Sequence, residues 1–232
     1  MNSWSQKNSK NCVDCGLRSP MFNHLSEQEL ELISNNKFEI KFRKGEIVRK
    51  QGTFLSHVIS INAGLVKLYL EGYQGKNIIL RIIKSQNFIG GPGMYYDQRH
   101  HYSVIALVET SACFIDINIF KQIIHSNPDF AAEFMKDISK NMLSSFDRLI
   151  SLSQKQIPGR MADALLYLSQ NIFESNNIPT HITKNELSEL TSMSKDSVIR
   201  ILREFKNEGI LKLSQGIEII NPDKLAKISM VG

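Results

Sequence analysis

The stretch Ser194-Lys195-Asp196-Ser197-Val198-Ile199-Arg200-Ile201-Leu202-Arg203 carries side chains that can read the edges of bases. At 100° per residue, Val198, Ile201, Leu202 and Phe205 fall within one arc of roughly 100°. Lys195, Asp196, Ile199, Arg200 and Arg203 fall in a separate arc of roughly 140° by the same count. The apolar arc suits packing, and the other suits a duplex groove. Arg200 can chelate guanine O6 and N7, Asp196 can accept from cytosine N4, and Ile199 can touch a thymine methyl. Lys195 reads a guanine or holds a phosphate. With Thr183, Ser194 and Ser197 these residues form the candidate DNA-contacting set.

Local signals build the frame that would hold them. Thr183 and Glu186 have the spacing of a capping box, which starts a helix running to about Leu190. Thr191-Ser192-Met193 makes the turn, and Ser194 caps the second helix. A hairpin from Leu211 to Ile220, turning at Ser214-Gln215-Gly216, follows directly. Helix, turn, helix and wing is the order of a winged DNA-reading module. The competing reading is an amphipathic helix pair used for protein contact.

Upstream, Pro128-Asp129 opens a helix that meets no Gly or Pro until about Gln156. Met135, Ile138, Met142, Leu149 and Leu152 follow three-four spacing, with Phe130, Phe134, Phe146 and Ile150 beside them. So wide a stripe can serve two surfaces, one of them a second copy of the same helix. A helix of ~28 residues is over 40 Å long and outruns a domain of this size, which favours the dimer.

Before it, from about Lys37 to Asn118, come short β-branched runs. They are Ile47-Val48, Val58 to Ile61, Leu65 to Leu70, Ile78 to Ile83 and Tyr102 to Val108, separated by glycines. This pattern predicts a compact sandwich or barrel. A capping box at Ser26 and Glu29 predicts a short helix ahead of it. From Pro158, another helix is expected through Phe173, and Asn176 to Pro179 reads as a loop.

Composition narrows the class. Hydrophobic residues at 42% and charged residues at 22% argue for a folded chain. The polar start, Met1 to Lys10, lacks the apolar core of a secretory signal, and no run is long enough to span a bilayer. The expectation is a cytoplasmic protein with no membrane partner. Net charge is +5, but from Pro158 onward 9 Lys+Arg stand against 9 Asp+Glu, so bulk charge does not support DNA binding. The three cysteines, Cys12, Cys15 and Cys113, are too few for a disulfide scaffold. No nucleophile–base pattern, phosphate-binding loop or paired-carboxylate motif marks an enzyme.

With both halves in view, the chain resembles the Crp/Fnr family of bacterial regulators over nearly its whole length. Ile182 to Ser188 and Ser194 to Leu202 look like the family's helix-turn-helix. Lys44-Gly45-Glu46, Gln51-Gly52 and Ala63-Gly64-Leu65-Val66-Lys67-Leu68 are similar to the glycine framework of its cyclic-nucleotide-type roll. The resemblance implies an α+β protein: an N-terminal extension and double-stranded β-helix, a jelly-roll-like β-roll for an effector, over 1–127. A dimerisation helix over 128–157 and a winged helix-turn-helix over 158–232 follow. It further implies a homodimer on an inverted repeat of double-stranded DNA, with RNA polymerase as a further partner. Asp196 stands where the family usually has Glu, and Ile199 where Gly or Ser is usual, so the preferred sequence should depart there.

Nucleotide-binding members carry a Phe-Gly-Glu-Leu turn followed by Arg-Ser or Arg-Thr. The matching stretch here is Phe88-Ile89-Gly90-Gly91-Pro92-Gly93, then Arg99-His100-His101. Gly91 replaces the ribose-binding Glu and His101 the phosphate-binding Arg, which disfavours cyclic AMP. Gly90, Gly91, Gly93, Arg99, His100 and His101 remain candidates for an effector pocket, suited to an anion, or to haem through one His. Cys12-x-x-Cys15 with Cys113 is similar to the cysteine set of the family's iron–sulfur branch, but a site of four thiolates is excluded by count. Three cysteines with Asp14 or a His, a cluster shared across a dimer, and a simple redox pair stay open. The alternative function is a ligand- or redox-sensing module acting through protein partners.

Overall fold

A computed structural model describes residues 11–232, so the polar start at Met1 to Lys10 lies outside the described residues. The chain divides into two compact units, one of 11–70 with 81–141, the other of 71–80 with 142–232. Among the described residues, no helix is long and apolar enough to cross a membrane.

The first unit opens with α1 (Glu27–Asn35), closed by the predicted capping box of Ser26 and Glu29. Eight strands follow: β1 (Lys37–Phe42), β2 (Ile47–Arg49), β3 (His57–Ala63), β4 (Leu65–Leu70), β5 (Ile78–Lys84), β6 (Asn87–Ile89), β7 (Ser103–Ala106) and β8 (Thr110–Asp116). They form two four-stranded sheets in the orders β1-β8-β3-β6 and β2-β7-β4-β5. Successive strands alternate between the two sheets, except that β4 and β5 share one, the winding of a jelly roll. The chain changes sheets between β3 and β4 at Gly64, where φ is 96°. A Cβ there would lie 2.5 Å from the Glu109 carbonyl oxygen, so the corner requires glycine.

Three of these strands, β1, β6 and β8, lie outside the β-branched runs picked from the sequence. The helix α2 (Ile117–Ser126) was also unanticipated. Its start, Ile117-Asn118-Ile119-Phe120, has strand-like residues, yet the Asp116 carboxylate accepts from the amides of Asn118 and Ile119 and caps a helix. Phe22, Phe88, Phe120, Phe130 and Phe134 then close one aromatic core; Phe88 stacks on Phe120 at 4.9 Å. Gly90 lies where a Cβ would be 2.6 Å from the Phe88 ring and 3.2 Å from Phe134.

The long helix α3 (Pro128–Gln154) begins where the sequence places it. It buries Phe130 and Phe134. Met135, Ile138, Met142, Leu143, Phe146, Leu149 and Ile150 remain exposed.

In the second unit, α4 (Ile157–Tyr167) continues into a π-helical turn at Leu168–Ile172. Then come α5 (Lys184–Thr191) and α6 (Lys195–Asn207), followed by a sheet and α7 (Pro222–Val231). The sheet pairs β10 (Leu211–Ser214) with β11 (Gly216–Ile219) as the predicted hairpin. It adds a third strand, β9 (Asn177–Ile178), in the segment expected to be a loop. Two residues are too few to show a period, so only the pairing of Ile178 with Ile217 reveals the strand.

Candidate nucleic-acid interface and effector pocket

The helix α6 owes its start to Ser194, whose hydroxyl accepts from the Ser197 amide at 3.1 Å. Val198, Ile201, Leu202 and Phe205 are all buried, as their arc requires. Ser194, Lys195, Asp196, Arg200 and Arg203 are exposed, and Ser197 is half-buried. Ile199 is half-buried too, not fully exposed as its place among charges suggests. Arg200 approaches Glu204, one helical turn on, at 3.5 Å. An exposed pair at that spacing is worth only ~0.3–0.5 kcal/mol, so it holds the guanidinium weakly.

The partner helix α5 is closed at its start by Thr183, exposed, whose hydroxyl accepts from the Asn185 amide while donating to Glu186. At its end Ser192 adopts the left-handed conformation, φ 53°, and turns the chain toward α6. The last carbonyls of α5 lack helical donors, and two arginines meet them. Arg148 of α3 donates to the Leu190 carbonyl, and Arg160 of α4 to that of Thr191 at 3.3 Å. Burial pulls the Arg148 guanidinium down to about 10, still charged at neutral pH. Nothing in the sequence near the helix-turn-helix marks these two residues, because the carbonyls they serve are over 30 positions away.

The glycine turn of the first unit is filled by its own surroundings. A Cβ on Gly91 would be 3.0 Å from the Leu55 side chain, and one on Gly93 2.0 Å from the Arg99 carbonyl oxygen. The Tyr102 hydroxyl donates to the Gly90 carbonyl at 2.9 Å. Of the polar residues assigned to the effector pocket, Arg99 is exposed and donates to the Gly52 carbonyl at 2.9 Å. His101 is half-buried and pairs with Asp97 at 3.0 Å. His100 alone is buried, at 4% exposure. Gly91 in place of an acid, and a turn closed by Leu55 and Arg99, do not fit a cyclic nucleotide.

Cys12 and Cys113, 101 positions apart, are both buried, and Cys15 is half-buried. Cys12 belongs to the core with Met21, Phe22 and Leu30. Burial first, then the nearby thiols Cys113 and Cys15, push the Cys12 thiol up, against the pull of Lys37. Asn62 donates to the Cys113 sulfur at 3.1 Å. Among the described residues no three His, Cys, Asp or Glu side chains assemble a metal site. Three thiols, two of them buried, do not fit a four-thiolate cluster.

Residues 39–127 match the cyclic nucleotide-binding domain family, and residues 159–228 match the Crp-like helix-turn-helix domain family. The chain belongs to the Crp/Fnr family. It is a transcription regulator with a DNA-binding helix-turn-helix. This Crp/Fnr regulator is 23% identical to the transcriptional activator protein Anr of Pseudomonas protegens, over 96% of this chain and 93% of that one. It is 20% identical to the CRP-like cAMP-activated global transcriptional regulator of Mycobacterium tuberculosis, over 90% and 96% of the two chains. Among solved structures it is similar to a transcriptional regulator of the Crp/Fnr family from Eubacterium rectale, with TM-score 0.74, 21% identity, and 91% and 98% coverage. FixK2 from Bradyrhizobium japonicum gives TM-score 0.75 at 16% identity, covering 83% of this chain and 96% of that one.

Proposed function

We propose that this regulator binds an inverted repeat as a homodimer, each protomer laying α6 in the major groove, and that its roll answers a signal other than cyclic AMP. The observation that carries the reading is the helix α6 itself. Its apolar arc is buried, and Lys195, Asp196 and Arg200 stand exposed together at its N-terminal end. Recognition helices present this end to base edges. Arg200 is assigned to guanine, Asp196 to cytosine N4, and the half-buried Ile199 to a thymine methyl. Arg203 and Lys195 are assigned to phosphates, and the hydroxyls of Ser194, Ser197 and Thr183 to the DNA backbone.

The exposed apolar face of α3 supports the homodimer. Met135, Ile138, Met142 and Leu149 repeat at coiled-coil spacing, and Phe146, 52% exposed, lies beside them. Monomeric proteins rarely leave such a row uncovered. The absence of a ribose-binding acid at Gly91 supports a signal other than cyclic AMP.

Footprinting on the regulator's own promoter tests the reading. Two protected half-sites centred about 10–10.5 base pairs apart, or a multiple of that, are expected. The double variant Arg200→Ala, Asp196→Ala should lose them. An unchanged footprint in that variant would refute base reading by α6.

A further inference from the structure

In the first unit, nitrogen-bearing side chains gather without a counter-charge. Arg49, at the end of β2, lays its guanidinium 4.3 Å over the ring of Phe114 in β8. It donates to the neighbouring Val48 carbonyl, 3.1 Å away. His57, at the start of β3, approaches the same Phe114 ring at 6.5 Å and lies 2.8 Å from the Ser56 hydroxyl. His100 arrives from the other side of the sequence. Its amide donates to the Thr53 carbonyl at 2.9 Å and its carbonyl accepts from the Gly52 amide at 2.7 Å, beside the segment that leaves β2. It is 96% buried, and neither ring nitrogen has a hydrogen-bond partner.

Charge accounting deepens the gap. The nearby Arg49 opposes protonation of both His57 and His100, in each case after burial as the larger cause. The carboxylates of Asp116 and Asp97 are engaged elsewhere. Asp116 favours protonation of His57, but its Oδ1 caps α2. Asp97 is paired with His101. Among the described residues Arg49 makes no ion pair. A half-buried guanidinium without an acid, next to a buried imidazole with both nitrogens unmet, is costly unless something supplies acceptors. A planar fork of donors together with an imidazole N–H matches an oxyanion in shape and charge.

We propose that the roll binds a small oxyanion between Arg49 and His100, with His57 at its margin. The group is a phosphate or a carboxylate, free or as the acidic end of a small metabolite. The proposal rests on the reading that the roll senses something other than cyclic AMP, and it gives that signal a chemical class. Arg49 and His57 are not positions to which the family resemblance assigns a role. Arg49 supplies charge and two parallel donors, while neutral His100 donates through whichever nitrogen faces the ligand.

The full-length protein, dialysed free of phosphate, is titrated at pH 7 and constant ionic strength with inorganic phosphate, with acetate, and with chloride as control. A saturable rise in Tm of several degrees is expected with phosphate or acetate but not with chloride. The anion that saturates at lower concentration identifies the group. The His100 ring nitrogens should shift in long-range proton–nitrogen spectra at the same midpoint. Arg49→Met and His100→Phe should each weaken binding at least tenfold. Phe keeps the ring volume and removes the unmet nitrogens, so that variant retains the fold, checked by circular dichroism. No saturable effect beyond chloride, or wild-type affinity in both variants, overturns the proposal. Promoter binding is measured on the same samples. Its persistence alongside a failed anion titration sinks the oxyanion site alone, whereas its loss in Arg200→Ala, Asp196→Ala concerns DNA reading alone.

Discussion

Acidification should destabilise this regulator through one imidazole. Burial first, then Arg49 and His101, lower the His100 pKa from 6.5 to about 4. In the unfolded chain the same ring titrates near its ordinary value. Above pH 6.5 neither state holds the proton, so the group contributes no pH dependence. Between 6.5 and 4 the unfolded state takes up a proton that the folded state refuses, and stability falls with pH. Below about 4 both states are protonated and the loss levels off. The interval corresponds to roughly 3 kcal/mol, a sizeable share of a typical 5–15 kcal/mol. Urea unfolding at fixed protein concentration, at pH 7, 6, 5 and 4, measures it in wild type and His100→Phe. Other titrating groups are common to both proteins and cancel in the difference. Wild type should lose roughly 3 kcal/mol more than the variant across that range. Parallel pH profiles would refute the claim that His100 is held neutral in a dry site.

Other perturbations have expected outcomes of their own. Lys195→Ala should weaken binding to any duplex similarly and lower the slope of log affinity against log salt by about 1, measured by fluorescence anisotropy. If α3 pairs with a second copy as proposed, Phe146→Glu with Leu149→Arg should shift sedimentation velocity from dimer to monomer, because two charges would have to enter an apolar seam. Ser194→Ala removes the cap of α6 and should cost about 1 kcal/mol in urea unfolding of the DNA-binding unit. Arg148→Met keeps the apolar stem but leaves the Leu190 carbonyl without its donor. A loss of ~1–3 kcal/mol is expected, read as a lower Tm.

What the sequence determined by itself was local. The caps at Ser26, Thr183 and Ser194, the buried arc of α6 and the start of α3 each depend on residues within a few positions. The β10–β11 hairpin was legible for the same reason. Elements that exist only through distant partners were not. Strands β1 and β8 become a pair because Lys37 meets Ile115 and Phe42 meets Thr110, and β9 becomes a strand because Ile217 lies beside Ile178.

The candidate sites divide along the same line. Side chains on one face of α6 can be assigned by angle, since a helix carries its own geometry. Burial of Ile199 could not be, because it depends on what packs beside that face. Arg99, His100 and His101 are equivalent as letters, yet only His100 is turned inward. Arg49 is an ordinary basic residue until β2 is laid against β7 and its guanidinium crosses to Phe114 in the other sheet. The helix proposed to read DNA was therefore written in sequence spacing, whereas the unmet nitrogens of the roll arise only where strands far apart in the chain converge.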